Sequence, residues 1–473
     1  MLRTKIRTAI ISAVSLLIVV PARAADEKRI RQAIDRAVAY LKGNYKFDQD
    51  AVAWPPSKRG VLDKGIALCG VALLEAKVPV KDPIILDIAR VVRSASIDED
   101  RTSYLAWDVI FLDKLGDPED IILIQSMAAR LIMGQNRAGG WSDFAPALDK
   151  AETKRMRAYL TAVAADGAMG VVAPRLNYPR PRLDPIVREM LEGKHITQIP
   201  DSSSNDDNFN TQFAILAVWA ARKYGAPAEA LDRVQIRFRA TQFPDGGWAY
   251  AGSGPARTPT PAMTCAGLLG LTVNNGFQRE RIIKFRDPNN PLKESSKEIR
   301  RPPPDPRIDP QIQKAIGLLA QTIYNNRFGE VRDDLYRLWS LESVAVVLEI
   351  YSFGGGRKWF DWGCDWLLTN QNADGSFTGK WGKRADTSFA LLFLLRANLM
   401  RDLTHLLKSN RVVDVVEAPE PPPAPPEKPK EAPSPQTIVT PVPCQPQCQP
   451  CPCDCCQPTR RPGICGFLFR RRR

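Results

Sequence analysis

The feature that most constrains this chain is a short sequence that occurs three times. QNRAGGW spans Gln135 to Trp141, QFPDGGW spans Gln242 to Trp248, and QNADGSF spans Gln371 to Phe377. Each copy reads Gln, three residues, Gly, one residue and a large aromatic residue. An apolar run with helical periodicity precedes each copy, and another helical run follows it. The repeating unit is therefore predicted to be a helix, a glycine turn and a second helix.

The glutamine and the aromatic residue of each copy are predicted to have structural roles. The glycine permits a tight turn, and the Gln amide can satisfy backbone groups left unpaired at helix ends. The aromatic ring then covers the turn, a packing role that Phe377 keeps although it replaces tryptophan. The predicted structural residues are Gln135, Trp141, Gln242, Trp248, Gln371 and Phe377.

The first 24 residues have the pattern of a signal peptide. Three basic residues precede an apolar run from Ala9 to Val20, and a small-residue cleavage site ends at Ala24. The run is too short to span a bilayer comfortably, and no other stretch approaches a transmembrane span. We therefore expect an exported protein, periplasmic, in the cell envelope or extracellular, with an uncleaved anchor as the alternative.

The rest of the chain divides into a helical body and a tail. Residues 25–410 form one succession of about fourteen amphipathic helices with almost no strand-like alternation. Residues 411–473 are rich in proline and contain seven of the ten cysteines, which predicts a disordered tail. In an exported protein these cysteines can form disulfides, and we expect the tail to contact cell-envelope components.

The net charge of +14 does not indicate nucleic-acid binding. Four of the positive charges lie in the predicted signal, and most of the others are scattered along helical stretches. Solvated helix faces explain that distribution.

Cys69, Cys265 and Cys364 lie alone in apolar runs and are predicted to be core residues.

The repeats resemble those of squalene and hopene cyclases and of protein prenyltransferase β subunits. They also resemble the secreted bacterial prenyltransferase and squalene oxidase repeat proteins. This second resemblance is carried by the segments DDNFNTQFAILAVWAARKYG, LYRLWSLESVAVV and ADTSFALLFLLRANL. The resemblance covers nearly all of residues 28–407. It implies an all-α fold in which inner and outer helices alternate around an α/α toroid.

The chemistry that this resemblance implies lacks its essential residues here. The cyclases use an aspartic acid in a DxDDT sequence, and the chain has only two partial matches, DEDRT with Asp100 and DNFNT with Asp207. The prenyltransferases bind zinc through Asp, Cys and His, but neither His195 nor His405 stands in a motif with cysteine. We therefore predict no cofactor and no metal, and we regard catalysis as uncertain and a non-catalytic role as favoured.

Two enzyme hypotheses stay open besides a binding or scaffold protein. A terpenoid cyclase-like isomerase or transferase acting on an isoprenoid would use Asp100 as its acid. A glycan-active hydrolase or lyase would use Asp207 and Asp334, which stand with Asp206 and Asp333 before two helices. Helix capping is the simpler explanation for these aspartates.

Aromatic residues are the remaining functional signal. A ring of helices could direct several of them inward and line a cavity for an isoprenoid, another lipid or a glycan. At helical spacing, ordinary core packing is the competing interpretation. The candidate cavity residues are Trp107, Asn210, Trp219, Tyr336 and Trp339.

Overall fold

The computed structural model describes eight stretches of the chain. They are residues 22–45, 65–165, 181–197, 206–251, 258–286, 303–324, 334–353 and 356–408. The predicted tail 411–473 and all but the last three residues of the predicted signal peptide 1–24 lie outside these stretches.

The regular secondary structure of the described residues is almost entirely helix, so the predicted all-α class is confirmed. The helices are α1 (Ala22–Asn44), α2 (Ile66–Glu75), α3 (Pro83–Ala95), α4 (Thr102–Leu115), α5 (Ile121–Met133), α6 (Lys150–Ala165), α7 (Pro185–Met190), α8 (Asn208–Ala221), α9 (Ala230–Thr241), α10 (Pro261–Arg286), α11 (Pro310–Tyr324), α12 (Leu335–Val347), α13 (Trp359–Asn370), α14 (Lys383–Leu395) and α15 (Arg401–Lys408). A small antiparallel hairpin, β1 (Ser352–Phe353) and β2 (Arg357–Lys358), was not predicted.

Six helices, here called the cycle helices, make a closed cycle of contacts. α2 packs on α4, α4 on α8, α8 on α10, α10 on α12, α12 on α14, and α14 on α2. Other helices flank this cycle: α3 packs on α2, α5 on α4 and α8, α9 on α10, and α1 on α14. Burial follows this arrangement, since every residue of α8 except Phe209 is buried, whereas α9 buries only one face.

Each repeat fastens its glycine turn to a flanking helix through the glutamine. Nε2 of the glutamine donates one hydrogen bond to the carbonyl of the motif glycine and a second to a carbonyl of the flanking helix. All six acceptor oxygens lie 2.9–3.1 Å from Nε2. Gln135 donates to Gly139 and to Ala230 of α9, and Gln242 donates to Gly246 and to Gln311 of α11. Gln371 donates to Gly375 and to Ala33 of α1. The third repeat thus joins the last helices of the body to the first one.

The motif glycines are required by both backbone geometry and packing. All three have positive φ, a region that residues with a Cβ rarely adopt. A Cβ at each would also approach the backbone of the flanking helix more closely than 3.0 Å. The φ angle is 84° at Gly139, 98° at Gly246 and 88° at Gly375. The added Cβ atoms would approach the backbone of Arg233, Lys314 and Arg36, respectively.

The motif aromatic residue connects the turn to the next cycle helix. Its backbone N–H donates to the hydroxyl of a threonine in the first turn of that helix. The pairs are Trp141 with Thr211 of α8 (3.1 Å), Trp248 with Thr264 of α10 (3.4 Å), and Phe377 with Thr387 of α14 (2.9 Å). Each repeat therefore ties a turn to one flanking helix and one cycle helix, and it sets where the residues that follow it lie.

No copy of the repeat follows α3, and buried arginines hold that junction instead. Arg130 of α5 donates to the Ser96 carbonyl at 3.0 Å. Arg93 of α3 pairs with two carboxylates in the turn before α5, at 2.6 Å from Asp120 and 2.7 Å from Asp117. These side chains replace the glutamine as the link between neighbouring helices.

Candidate functional site

The cycle helices α8 and α12 begin at the same end of the structure. The rings of Phe209 and Tyr336, in the first turns of the two helices, have centroids 5.0 Å apart. One turn further along, Phe213 stacks on Trp339 at 5.9 Å. The two helices therefore run in the same direction, and their N-terminal ends adjoin.

Aromatic side chains fill the space inside the cycle at this level. The Trp107 ring of α4 lies 5.3 Å from Phe213, 5.5 Å from Trp339 and 6.3 Å from Phe389 of α14. All four rings are at most 4% exposed. Tyr336 is equally buried, and its hydroxyl donates to Oε1 of Gln212 at 2.6 Å. The candidate residues Trp107, Tyr336 and Trp339 thus come together, and at this level their rings pack against one another.

Trp219, the fourth aromatic candidate, lies near the opposite end of α8. Its Nε1 donates to Asp402 of α15 at 3.2 Å, and the Arg222 guanidinium stacks 3.4 Å above its ring. Arg222 also pairs with Glu280 at 2.7 Å. This group attaches α15 to the cycle helices and is separate from the aromatic cluster.

The N-terminal end of α8 carries two aspartates joined by one asparagine. Nδ2 of Asn210 lies 2.8 Å from Asp143 and 2.8 Å from Asp207. The backbone N–H of Asn210 also donates to Asp207 at 2.6 Å, so Asp207 caps the helix as expected. Because both carboxylates contact the same nitrogen, they lie side by side.

Two half-exposed aromatic residues flank this group. Phe144 follows Asp143 and packs against Arg101, whose guanidinium carbon lies 4.9 Å from the ring centre. Tyr250 lies on the other side, where its carbonyl accepts from the backbone N–H of Asn208 at 2.8 Å and its hydroxyl is near the Asp207 carboxyl. Both rings are 44% exposed, unlike those of the interior cluster. We call this set of residues the rim row; it consists of Arg101, Phe144, Asp143, Asn210, Asp207 and Tyr250.

Burial sets the protonation of the rim row. It raises the pKa of Asp207 to about 7, against the hydrogen bonds from Asn210, which favour the carboxylate. Burial and the nearby Asp207 carboxyl also raise the pKa of Tyr250, so its hydroxyl keeps its proton. At neutral pH the rim row therefore offers both hydrogen-bond donors and acceptors next to apolar rings.

The other predicted aspartates lie near the same end but have different surroundings. Asp100 is half-buried in the turn before α4, and its carbonyl accepts from the Ala145 N–H at 2.8 Å. Asp334 caps α12 and accepts from Nε1 of Trp381 at 3.0 Å. Asp206 is held in a buried ion pair with Arg237. Asp333 lies outside the described residues.

The described residues contain no group of three or more His, Cys, Asp or Glu side chains that could hold a metal ion. His195 contacts the Glu189 carboxylate at 2.9 Å, and His405 lies on α15.

The cysteines of the body are buried, as predicted, and burial raises the pKa of Cys265 to about 12. A thiolate there is unfavourable at neutral pH.

Sequence reasoning missed Asp143 and Tyr250. Each stands two residues after the aromatic residue of a repeat, after Trp141 and Trp248 respectively. Because each repeat delivers the following segment to the start of a cycle helix, this position is a usable signal once the helix order is known. Glu342 was also missed; it is an ionisable residue that is fully buried in α12.

Comparison with known proteins gives no independent assignment. No protein-family model matches the chain, and a search of curated proteins finds no match. Within the part of the chain that the structure describes, no helix is both long enough and apolar enough to cross a membrane.

Proposed function

We propose that the chain is an exported α/α toroid of the squalene cyclase and prenyltransferase repeat type, and that it is a non-catalytic binding protein of the cell envelope. The closed cycle of contacts and the three identical turn attachments support the toroid. The signal-like first 24 residues and the Pro- and Cys-rich tail support export and attachment to the envelope.

The rim row is the proposed binding surface, and a glycan is the proposed ligand. The observation that carries this proposal is the placement of Phe144 and Tyr250, both half-exposed, beside the two aspartates that accept from Nδ2 of Asn210. Sugar rings stack on aromatic faces, and their hydroxyl groups pair with carboxylates and amides. An isoprenoid or another lipid fits this surface less well, because the interior rings pack against one another and the rim row is polar.

A co-sedimentation assay with insoluble cell-envelope polysaccharide tests this proposal. We expect wild-type protein to sediment with the polysaccharide and the Phe144→Ala variant to remain in solution. Tyr351→Ala is the matched control, since Tyr351 is an aromatic residue with 79% exposure outside the rim row. Equal sedimentation of all three proteins would contradict the proposal.

Glycoside hydrolysis is a second candidate, favoured by one specific observation. A carboxyl oxygen of Asp143 and one of Asp207 each lie 2.8 Å from Nδ2 of Asn210. The distance between these two oxygens is therefore at most twice that value. Retaining glycosidases place their two carboxyl groups about 5–5.5 Å apart. With a pKa of about 7, Asp207 can hold the proton that a leaving oxygen needs.

This second candidate pairs Asp207 with Asp143 rather than with Asp334. Release of reducing ends from an envelope polysaccharide, abolished in Asp143→Asn, would support hydrolysis. Tight binding by wild-type protein without release of reducing ends would favour the binding protein. Asp100 lies in the turn before α4, and this placement gives the terpenoid cyclase-like hypothesis no specific support.

A further inference from the structure

Each of the three repeats is followed, within a few residues, by one aromatic side chain that is partly exposed to solvent. These residues are Phe144, Tyr250 and Trp381. Phe144 and Tyr250 are half-exposed and belong to the rim row, whereas Trp381 is half-buried and lies outside it. The repeats therefore deliver a third aromatic residue that the rim row does not include.

The first turn of α8 contacts the segments that carry Phe144 and Tyr250. Nδ2 of Asn210 lies 2.8 Å from Asp143, the residue before Phe144. On the other side, the backbone N–H of Asn208 donates to the Tyr250 carbonyl at 2.8 Å. Both segments are thus held at the end of the cycle where α8 and α12 begin.

Trp381 contacts the same turn of α8 from another part of the cycle. Its ring stacks on Phe209, the residue between Asn208 and Asn210, with centroids 5.1 Å apart and 9° between the ring planes. Trp381 stands just before α14, and α10 and α12 separate α8 from α14 in the order of the cycle. The stacked pair therefore crosses the end of the cycle, beside the rim row.

Polar groups flank Trp381 as they flank Phe144. Nε1 of Trp381 donates to Oδ1 of Asp334 at 3.0 Å, and the same oxygen accepts from the backbone N–H of Arg337 at 3.3 Å. Since both bonds use Oδ1, the other oxygen of this half-buried carboxyl can accept from a ligand. The ammonium of the exposed Lys380 lies 5.4 Å from the centre of the Trp381 ring. An acceptor and a donor for sugar hydroxyl groups therefore border the ring.

Given the glycan proposed for the rim row, on which this subsite depends, we propose that Trp381, Asp334 and Lys380 form a further sugar-binding subsite. The ligand is then a polysaccharide chain long enough to contact Phe144, Tyr250 and Trp381 together, rather than a single terminal sugar. One sugar ring packs on the part of Trp381 that Phe209 leaves open, and its hydroxyl groups pair with Asp334 and Lys380. Several contacts made by one chain raise its affinity above that of any one contact.

Isothermal titration with fragments of the cell-envelope polysaccharide, sorted by length, tests the subsite. The affinity of wild-type protein should rise with fragment length and then level off. Trp381→Leu keeps apolar bulk but has no aromatic face, so it should bind long fragments about three- to tenfold more weakly and the shortest ones equally well. Trp366→Leu, which changes a half-buried tryptophan of the flanking helix α13, is the matched control and should follow wild type at every length.

Phe144→Ala distinguishes the subsite from the rim row itself, because it should weaken binding of every fragment. If Phe144→Ala binds poorly while Trp381→Leu matches wild type at all lengths, the rim row binds glycan and the subsite is overturned. Equal weakening of short and long fragments in Trp381→Leu would mean that Trp381 only holds α8 in place, and would also overturn it. Absence of binding by wild-type protein would overturn both proposals.

Hydroxyl-radical footprinting of wild-type protein gives a second readout that needs no substitution. A saturating long fragment should lower the labelling of Phe144, Tyr250 and Trp381. A saturating short fragment should lower the labelling of Phe144 and Tyr250 alone. Unchanged labelling of Trp381 in the presence of the long fragment would overturn the subsite.

Discussion

Replacing Gly375 by alanine should weaken the attachment between the last repeat and α1. Gly375 has a φ of 88°, and its added Cβ would lie 2.8 Å from the carbonyl carbon of Arg36. A residue with a Cβ at positive φ costs about 1–2 kcal/mol. The collision with the backbone of α1 adds about 1–3 kcal/mol, the usual cost of overpacking. We therefore expect a loss of about 2–5 kcal/mol in the free energy of unfolding.

Gly193→Ala is the matched control for this substitution. Gly193 has nearly the same φ, 87°, but its added Cβ would have no atom within 4 Å. It should lose only the backbone cost of about 1–2 kcal/mol. Urea unfolding, followed by circular dichroism, measures both variants. If the two lose the same free energy, the third turn is not packed on α1.

Two further predictions concern buried ionisable groups. Because burial raises the pKa of Glu342 in the folded state, its contribution to stability is complete below pH 4.5 and decreases as the pH rises from there. Urea unfolding should show a slope of about 1.4 kcal/mol per pH unit that is absent from Glu342→Gln; equal slopes would mean that Glu342 is solvated. Arg93→Met should cost about 3–5 kcal/mol in urea unfolding, because it leaves Asp117 and Asp120 buried without their cation. A loss below about 1 kcal/mol would mean that these carboxylates reach solvent.

The helices and the repeat turns were predictable because their signals are local. Apolar periodicity indicated α8 and α12, and the glycine of each repeat indicated a turn. The hydrogen bonds of Gln371 were harder to foresee, since one acceptor is Ala33, more than three hundred residues earlier. Its amide donates to the carbonyl of Ala33, which lies within α1. From the sequence, the expected partner was an unpaired backbone group at the end of a helix.

The rim row was not predictable because its residues come from different segments. Asp143 and Tyr250 follow different repeats, and only the packing of α8 between α4 and α10 brings them both to the start of α8. For the same reason, the sequence could not show which aromatic candidates lie inside the helix cycle and which lie elsewhere. Periodicity places Trp107 and Trp219 on helices alike, but only the tertiary structure shows that one joins the interior cluster and the other contacts α15.

Isothermal titration with soluble cell-envelope glycan fragments tests the function of the rim row most directly. Wild-type protein should bind, and the double variant Phe144→Ala/Tyr250→Ala should bind at least about tenfold more weakly, because two stacking faces are lost. Both side chains are half-exposed, so the melting temperature should change little. Undiminished binding by the folded double variant would contradict a glycan site at the rim row.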